Sequence, residues 1–175
     1  MFPNRILKSG QKISTYNGLI KYLREKDPRI RGVVLRVNSS GGSILASDEI
    51  YHGIKEFKKS GKKIYTSLGN VATSGGYFIS LGTNKVFANK STLTGSIGVL
   101  SIHKNIKGLH DILGIKRDII KSGKYSDLTS STKSLSEEEK KILRQHQDYF
   151  HTTFITYLME NRNLSYQEAY ELSQG

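Results

Sequence analysis

The stretch Asn70-Val71-Ala72-Thr73-Ser74-Gly75-Gly76-Tyr77 joins an apolar, strand-like segment to a helix-like one. It places Ser74 on the turn between them, with two glycines directly behind it. A turn of this kind presents its side chain outward and directs backbone N–H groups toward a reacting group. Ser74 is therefore a candidate nucleophile. The alternative interpretation is an ordinary helix-capping serine, followed by glycines that allow tight packing.

A second glycine turn, Asn38-Ser39-Ser40-Gly41-Gly42-Ser43, follows the apolar residues 33–37. In an open α/β sheet, such turns meet outside the carboxyl ends of the strands. The two turns are therefore expected to lie together. One would carry the attacking oxygen, and the other would carry donors for the oxyanion that forms. This conjunction favours the catalytic interpretation of Ser74.

Apolar spacing predicts that strands and helices alternate along the rest of the chain. Helices are predicted at residues 16–25, from Ser43 to Ser60-Gly61, through residues 77–79, from Ser136 toward residue 161, and from Ser165 onward. Strands are predicted at residues 33–37, 63–68, 85–88, 97–102 and 115–120. The alternation predicts an α/β fold with crossover connections and a mainly parallel sheet.

Composition is typical of one globular domain. The chain has 175 residues, of which 36% are hydrophobic, and no apolar run approaches the length of a membrane span. The first residues lack the apolar core of a secretory signal. With no cysteine, disulfides, thiolate catalysis and cysteine-based metal sites are excluded.

The chain is strongly basic, with 27 Lys and Arg residues against 15 Asp and Glu residues and a formal net charge of +12. Such a balance suits nucleic acid, an anionic membrane surface or simple surface solvation. The basic residues are scattered, and no aromatic platform is interleaved with them. Nucleic acid is therefore not expected as a partner, whereas membrane proximity stays a candidate.

A serine nucleophile needs a base, and the sequence offers histidines and lysines. None of the five histidines, His52, His103, His110, His146 and His151, lies in a motif that would place it against Ser74. The residues of a Ser-His-Asp triad need not be close in sequence, so local spacing would not reveal one. Such a triad therefore stays an alternative. Lys121 and Lys124 follow the predicted strand at residues 115–120. A buried lysine is a usual base, although most lysines are solvated at the surface.

Four motifs in order resemble the protease domain of the signal peptide peptidase A (SppA) family. They are Arg29-Ile30-Arg31-Gly32-Val33-Val34-Leu35-Arg36-Val37-Asn38-Ser39-Ser40-Gly41-Gly42-Ser43, Ala72-Thr73-Ser74-Gly75-Gly76-Tyr77-Phe78-Ile79-Ser80, Ala88-Asn89-Lys90-Ser91-Thr92-Leu93-Thr94-Gly95-Ser96-Ile97-Gly98-Val99 and Ile120-Lys121-Ser122-Gly123. The resemblance implies a Clp protease/crotonase-like fold of repeated β-β-α and βαβ units, with flanking helices. It also implies a serine peptidase that cleaves remnant signal peptides or other unfolded peptides through a Ser-Lys dyad, without metal or cofactor.

Site residues carry over from the family position by position. The resemblance makes Ser74 the nucleophile, Gly41, Gly42 and Gly75 the oxyanion hole, and Ser96 the serine that orients the catalytic lysine. Ser40 stands where the family usually has proline, so the turn is expected to be less rigid.

Ser126 is the main departure, because it stands at the position of the family lysine. A serine cannot usefully accept the nucleophile's proton at neutral pH. Losing such a base commonly lowers the rate by thousands-fold or more, as an order of magnitude. Lys124 is the candidate substitute, since it would share a face with position 126 if the segment were extended. It would still be displaced by about 6–7 Å along the strand.

The resemblance also sets expectations for organisation and partners. Residues 1–175 are expected to form a single peptidase domain without the family's first strand and membrane anchor and without its last strand and helix. Peptide substrates are expected, with a homo-oligomer whose sites lie near protomer interfaces. The expected location is the outward face of the bacterial cytoplasmic membrane.

Three functions remain open from the sequence. The first is an active serine peptidase. The second is a catalytically impaired relative or variant that binds peptide, because Ser126 replaces the lysine. The third is an acyl-CoA enzyme on the same broad fold, which the serine at position 74 and the run Thr92-Leu93-Thr94-Gly95-Ser96-Ile97-Gly98 disfavour.

Overall fold

A computed structural model describes residues 13–25 and 30–175 of the chain. Its elements are α1 (Ile13–Glu25), β1 (Gly32–Ser39), α2 (Ile44–Lys59), β2 (Lys63–Thr73), α3 (Gly75–Leu81), β3 (Lys85–Phe87), β4 (Leu93–Gly95), α4 (Lys107–Ile112), α5 (Glu137–Arg162) and α6 (Tyr166–Glu171). Contacts divide the chain into two compact units. The first comprises the described part of Met1–Gly98 with Thr153–Gly175, and the second is Val99–Thr152.

The first unit contains a parallel four-stranded sheet in which β2 is central. β1 pairs with β2 from Gly32↔Lys63 to Val37↔Leu68, and the register then jumps to Ser39↔Ala72. On the other side of β2, β3 pairs with the residues around Thr66 and β4 with those around Ala72. The predicted α/β class with a mainly parallel sheet is confirmed.

Helix α2 covers one face of this sheet, as its apolar spacing predicts. Its N-terminus is capped by the Ser43 side chain, which accepts a hydrogen bond from the Ala46 N–H. Ile54 and Phe57 are fully buried against Ile64 of β2. Burying side chains of this size contributes roughly 1.5–3 kcal/mol each. This packing fixes the N-terminus of α2 at the carboxyl ends of the strands.

The predicted capping boxes are both present. The Ser136 hydroxyl accepts from the Glu139 N–H, and the Glu139 carboxylate accepts from the Ser136 N–H. Ser165 and Glu168 make the same reciprocal pair at the start of α6. Both boxes satisfy backbone donors that a helix start leaves unpaired. None of the described helices is long and apolar enough to cross a membrane.

Two predicted strands are wrong. Residues 97–102 and 115–120 are irregular, and of their apolar side chains Ile97 is buried whereas Ile102 and Ile120 are exposed. An apolar run forms a strand only where a neighbouring strand pairs with its backbone. The structure instead has β4 at Leu93–Gly95, whose three residues are too few to show an alternating pattern.

Candidate functional site

Ser74 occupies a strained backbone conformation at the junction of β2 and α3. Its φ is 50° and its ψ is −122°, although it is not a glycine. Holding such a residue there costs of order 1–3 kcal/mol. Its side chain makes no capping hydrogen bond, so the interpretation as an ordinary helix cap is wrong. Ser74 is half-buried at the start of α3, and its hydroxyl has no hydrogen-bond partner among the described residues.

The Gly41 turn lies directly against Ser74. A Cβ added to Gly41 would lie 2.9 Å from the Ser74 Cβ and 3.2 Å from its Oγ. Gly41 also has a φ of 107°, which side chains disfavour. The two glycine turns predicted to meet are therefore brought together. Gly41 is required both by its backbone conformation and by the close approach of the serine.

The three predicted oxyanion glycines differ in what their N–H groups do. The Gly41 N–H donates to the Ser39 Oγ at 3.2 Å. The N–H groups of Gly42 and Gly75 have no hydrogen-bond partner among the described residues. A Cβ placed on Gly75 would lie 3.5 Å from the Gly42 nitrogen, so the two turns approach closely. The N–H groups of Gly42 and Gly75 can therefore donate to a ligand. Gly41 mainly allows Ser74 to approach closely, because it has no side chain.

Several contacts that the sequence did not single out fix this arrangement. The Thr73 hydroxyl donates to the Ser40 carbonyl at 3.1 Å, and the Val71 N–H donates to the Asn38 Oδ1 at 3.2 Å. These bonds tie the Gly41 turn to the end of β2. Hydroxyl and amide residues beside a glycine turn are the signal that such cross-links leave in a sequence.

Ser96 directly follows β4, and a backbone hydrogen bond joins the residue before it to Ser74. The Ser74 N–H donates to the Gly95 carbonyl at 2.9 Å. Ser96 has a φ of 48° and is exposed, and no partner for its hydroxyl is found in the described ranges. The first unit thus contains Ser74, Ser96 and both glycine turns.

Ser126 and Lys124 belong to the second unit, on turns that span residues 122–129. The segment is not extended, so the expected sharing of one strand face is wrong. Ser126 is exposed, its N–H donates to the Gly123 carbonyl, and its Oγ lies against Gly123. The Lys124 ammonium pairs with Glu138 at 2.5 Å. Hydrogen bonding to Glu138 and then to Tyr125 raises the pKa of Lys124, which disfavours the neutral amine that a base needs.

Other lysines of the second unit are also paired with carboxylates. Lys121 contacts Asp127 at 2.7 Å, and Lys133 contacts both Asp127 and Glu139. The hydrogen bonds that Lys133 donates to Glu139 and then to Asp127 raise the pKa of Lys133. No local pattern in the sequence marks Lys133 as part of this network. The pairing with Glu139 and Asp127 therefore favours the charged form of Lys133.

The five histidines are divided between the two units. His52 lies on α2, where its Nε2 is 3.2 Å from the Tyr157 hydroxyl and 3.5 Å from Asp48 Oδ1. The other four histidines belong to the second unit. Within residues 13–25 and 30–175, no group of three His, Cys, Asp or Glu residues could hold a metal ion.

Comparisons with known proteins relate the chain to a peptidase family. A family model described as Peptidase family S49 matches residues 56–175. An Enterococcus faecium protein whose name assigns it to signal peptide peptidase SppA is 38% identical over 151 residues, which cover 86% of this chain and 44% of that protein. Protease 4 of Salmonella typhi is 34% identical over 149 residues, covering 85% of this chain and 24% of that protein. The chain thus spans less than half of either relative.

A solved structure shows the fold. A ClpP1 mutant from Listeria monocytogenes matches 93% of this chain and 72% of its own chain, with a TM-score of 0.51 and 14% sequence identity. The predicted Clp protease-like fold is therefore confirmed. The family match and the relatives' names favour the peptidase prediction over the acyl-CoA alternative.

Proposed function

The chain belongs to peptidase family S49, and from that premise we propose that it is a serine peptidase whose nucleophile is Ser74. The observation that carries the proposal is the strained Ser74 at the start of α3, with Gly41 against its Oγ and no cap bond. Strained backbone at a reactive residue is typical of functional sites.

In the proposed reaction, the Ser74 Oγ attacks the carbonyl carbon of a peptide bond. The negative charge on the carbonyl oxygen would be stabilised by the Gly42 and Gly75 N–H groups, whose donors have no partner in the described residues. The C–N bond then breaks, the amine leaves with a proton, and an acyl-serine remains. Water hydrolyses that ester and restores the Ser74 hydroxyl. No metal or cofactor takes part in these steps.

The base is the open part of the proposal. The Ser-Lys dyad implied by the resemblance would need a lysine where Ser126 stands. Lys124 is the nearest substitute in sequence, but its pairing with Glu138 holds the proton on the amine. This observation favours a second candidate function. In that function the chain binds peptides with an intact oxyanion site but hydrolyses them slowly or not at all.

We propose the substrates, assembly and location on the family resemblance. Remnant signal peptides or other unfolded peptides are the proposed substrates. A homo-oligomer with its sites near protomer interfaces would let a neighbouring copy contribute to each site, with Ser96 orienting an incoming lysine. The proposed location is the outward face of the bacterial cytoplasmic membrane, close to the lipid surface.

Labelling by a fluorophosphonate probe, read by intact mass, tests the nucleophile and the base together. We would compare the unaltered chain with Ser74→Ala, Ser126→Lys, Lys124→Gln and, as the matched control at position 126, Ser126→Ala. Labelling that Ser74→Ala abolishes supports Ser74 as the nucleophile. If Ser126→Lys raises the labelling rate by roughly a thousandfold while Ser126→Ala does not, the site lacks only its base.

Two results would separate the candidate functions. Labelling of the unaltered chain that Lys124→Gln abolishes would support an active peptidase with Lys124 as the base. No labelling in any chain, including Ser126→Lys, would contradict the proposal that Ser74 is a nucleophile. Cleavage of an unfolded polypeptide, followed by mass spectrometry of the products, then measures peptidase activity directly.

A further inference from the structure

The two faces of the β1–β2–β3 sheet have different surroundings. Ile64 and Leu68 of β2 are buried on the face that α2 and its neighbours cover. On the other face, Val34 is 69% exposed, Tyr65 is 36% exposed and Phe87 is 52% exposed. Side chains alternate between the faces of a strand, so Arg36 lies on this second face with Val34. Large apolar side chains thus stay uncovered beside an arginine.

A pocket of about 400 Å³ opens on that second face. Arg36, Ser67 and Phe87 lie side by side across three strands, because Arg36 pairs with Ser67 and Ser67 pairs with Phe87. The register jump between β1 and β2 adds Asn70 to the wall, and the loop between β3 and β4 adds Asn89 and Ser91. Ser74 lies four positions after Asn70, roughly 13 Å along an extended chain, so the pocket is distinct from the serine site.

Hydrogen bonds hold the guanidinium of Arg36 in place, but only one of its three nitrogen atoms makes them. Its Nη1 donates to the Ser67 Oγ at 2.7 Å and to the Leu68 carbonyl at 2.8 Å. Its Nε and Nη2 have no partner in the part of the chain that the structure describes. No carboxylate lines the pocket, and Arg36 forms no ion pair with a described residue. The pocket therefore contains an oriented cation without a counter-ion.

The remaining lining groups indicate what would pair with that cation. The Asn70 side chain has no hydrogen-bond partner among the described residues, and Asn89 uses only its Oδ1, which accepts from the Ser91 N–H. One planar guanidinium with amide and hydroxyl donors suits a single carboxylate, which it can bind through two parallel hydrogen bonds. Phe87 and the exposed apolar side chains of the same face suit an apolar group beside that carboxylate.

We propose that this pocket, the Arg36 pocket, binds a carboxylate of an extended peptide whose neighbouring apolar side chain packs on Val34, Tyr65 and Phe87. The carboxylate is the C-terminus of the peptide or an Asp or Glu side chain. Neither source depends on the chemistry at Ser74, so the site holds peptide whether or not the chain hydrolyses it.

Peptide titrations of the full chain test the site by nuclear magnetic resonance. A ¹⁵N-labelled chain carrying Ser74→Ala, which prevents hydrolysis, is titrated with an acetylated Ala-Ala-Ala-Leu peptide that has a free C-terminal carboxylate. The matched probes are the same peptide as its C-terminal amide, and an amide in which Asp precedes Leu. We expect saturable amide shifts at Ser67, Asn70 and Ser91 with one or both carboxylate peptides and none with the neutral amide. The arm that binds more tightly identifies the source of the carboxylate.

Substitutions then assign the binding to Arg36. Arg36→Gln is expected to weaken binding by about tenfold or more, because it removes charge-assisted hydrogen bonds. Arg117→Gln, which removes the same charge from an exposed position of the second unit, is the matched control and should leave the affinity unchanged. Asn70→Asp places a competing carboxylate in the pocket and should also abolish binding, although it removes no described hydrogen bond.

Three results would overturn the proposal. The first is equal binding of the acid and amide peptides. The second is unchanged affinity in both Arg36→Gln and Asn70→Asp. The third is a set of shifts confined to the residues around Ser74. Inorganic phosphate that binds as tightly as the peptides would likewise contradict a site selective for a peptide carboxylate.

Discussion

Replacing Gly41 by alanine should destabilise the chain more than the same change at any glycine that merely has a positive φ. The added Cβ would lie 2.9 Å from the Ser74 Cβ and 3.0 Å from the Gly75 nitrogen. Carbon atoms pack best about 3.5–4.0 Å apart, so the Gly41 turn must move by about 0.6–1 Å. The contact lies between two backbone turns, and neither can rotate away as a flexible side chain would.

The expected cost has two parts. Overpacking of this kind costs about 1–3 kcal/mol. A φ of 107° adds about 1–2 kcal/mol for a residue with a Cβ. The free energy of unfolding should therefore fall by about 2–5 kcal/mol. Gly61 is the matched control, because its φ is 81° but a Cβ there would meet nothing within 4 Å. Gly61→Ala should cost only the backbone part, about 1–2 kcal/mol.

Urea unfolding followed by circular dichroism measures both variants at the same protein concentration. The labelling rate of Ser74 by a fluorophosphonate provides a second readout, which Gly41→Ala should lower and Gly61→Ala should not change. If Gly41→Ala is no less stable than Gly61→Ala, the turn is not in contact with Ser74 and the reasoning fails.

Three further predictions test other contacts. Gly76→Ala should destabilise the chain by about 1–3 kcal/mol in urea unfolding, because its Cβ would lie 2.6 Å from the Ser39 carbonyl oxygen. Gly18→Ala is the control and should not destabilise the chain, because a Cβ there would meet nothing within 4 Å. Glu138→Gln should bring the pKa of Lys124 down toward its ordinary value of 10.5, because the hydrogen bond to Glu138 is the largest cause of its rise. NMR titration of Lys124 measures this change, and the control Glu137→Gln should leave the pKa of Lys124 unchanged. The Lys124–Glu138 pair stabilises the folded chain between the two pKa values, so this stabilisation is lost as pH falls through the lowered pKa of Glu138 and as pH rises through the raised pKa of Lys124. Burial, and then the charge of Asp48, raises the pKa of Tyr157 to about 12, so an absorbance titration should show a late phenol step that Tyr157→Phe removes and Asp48→Asn moves to lower pH.

Helix boundaries were the most predictable part of the fold, because local sequence decides them. Ser43 with Ser60-Gly61 delimits α2, and the boxes Ser136 with Glu139 and Ser165 with Glu168 begin α5 and α6. A cap depends on residues within one turn of one another, so it can be recognised from spacing alone.

Strands were less predictable. Residues 115–120 have an apolar pattern but no partner strand, and Leu93–Gly95 has a partner but almost no pattern.

For the candidate site, the sequence by itself determined the chemical groups: a serine between a strand and a helix, two glycine turns, and Ser126 at the position where the resemblance implied a lysine. Only the tertiary structure decided how those groups are used. It holds Ser74 at a positive φ against Gly41, commits the Gly41 N–H to Ser39 and leaves the Gly42 and Gly75 N–H groups unpaired within the described chain. It also pairs Lys124 with Glu138 and, outside the serine site, fixes the Arg36 guanidinium against β2. These outcomes depend on contacts between residues far apart in the chain, which local spacing does not encode.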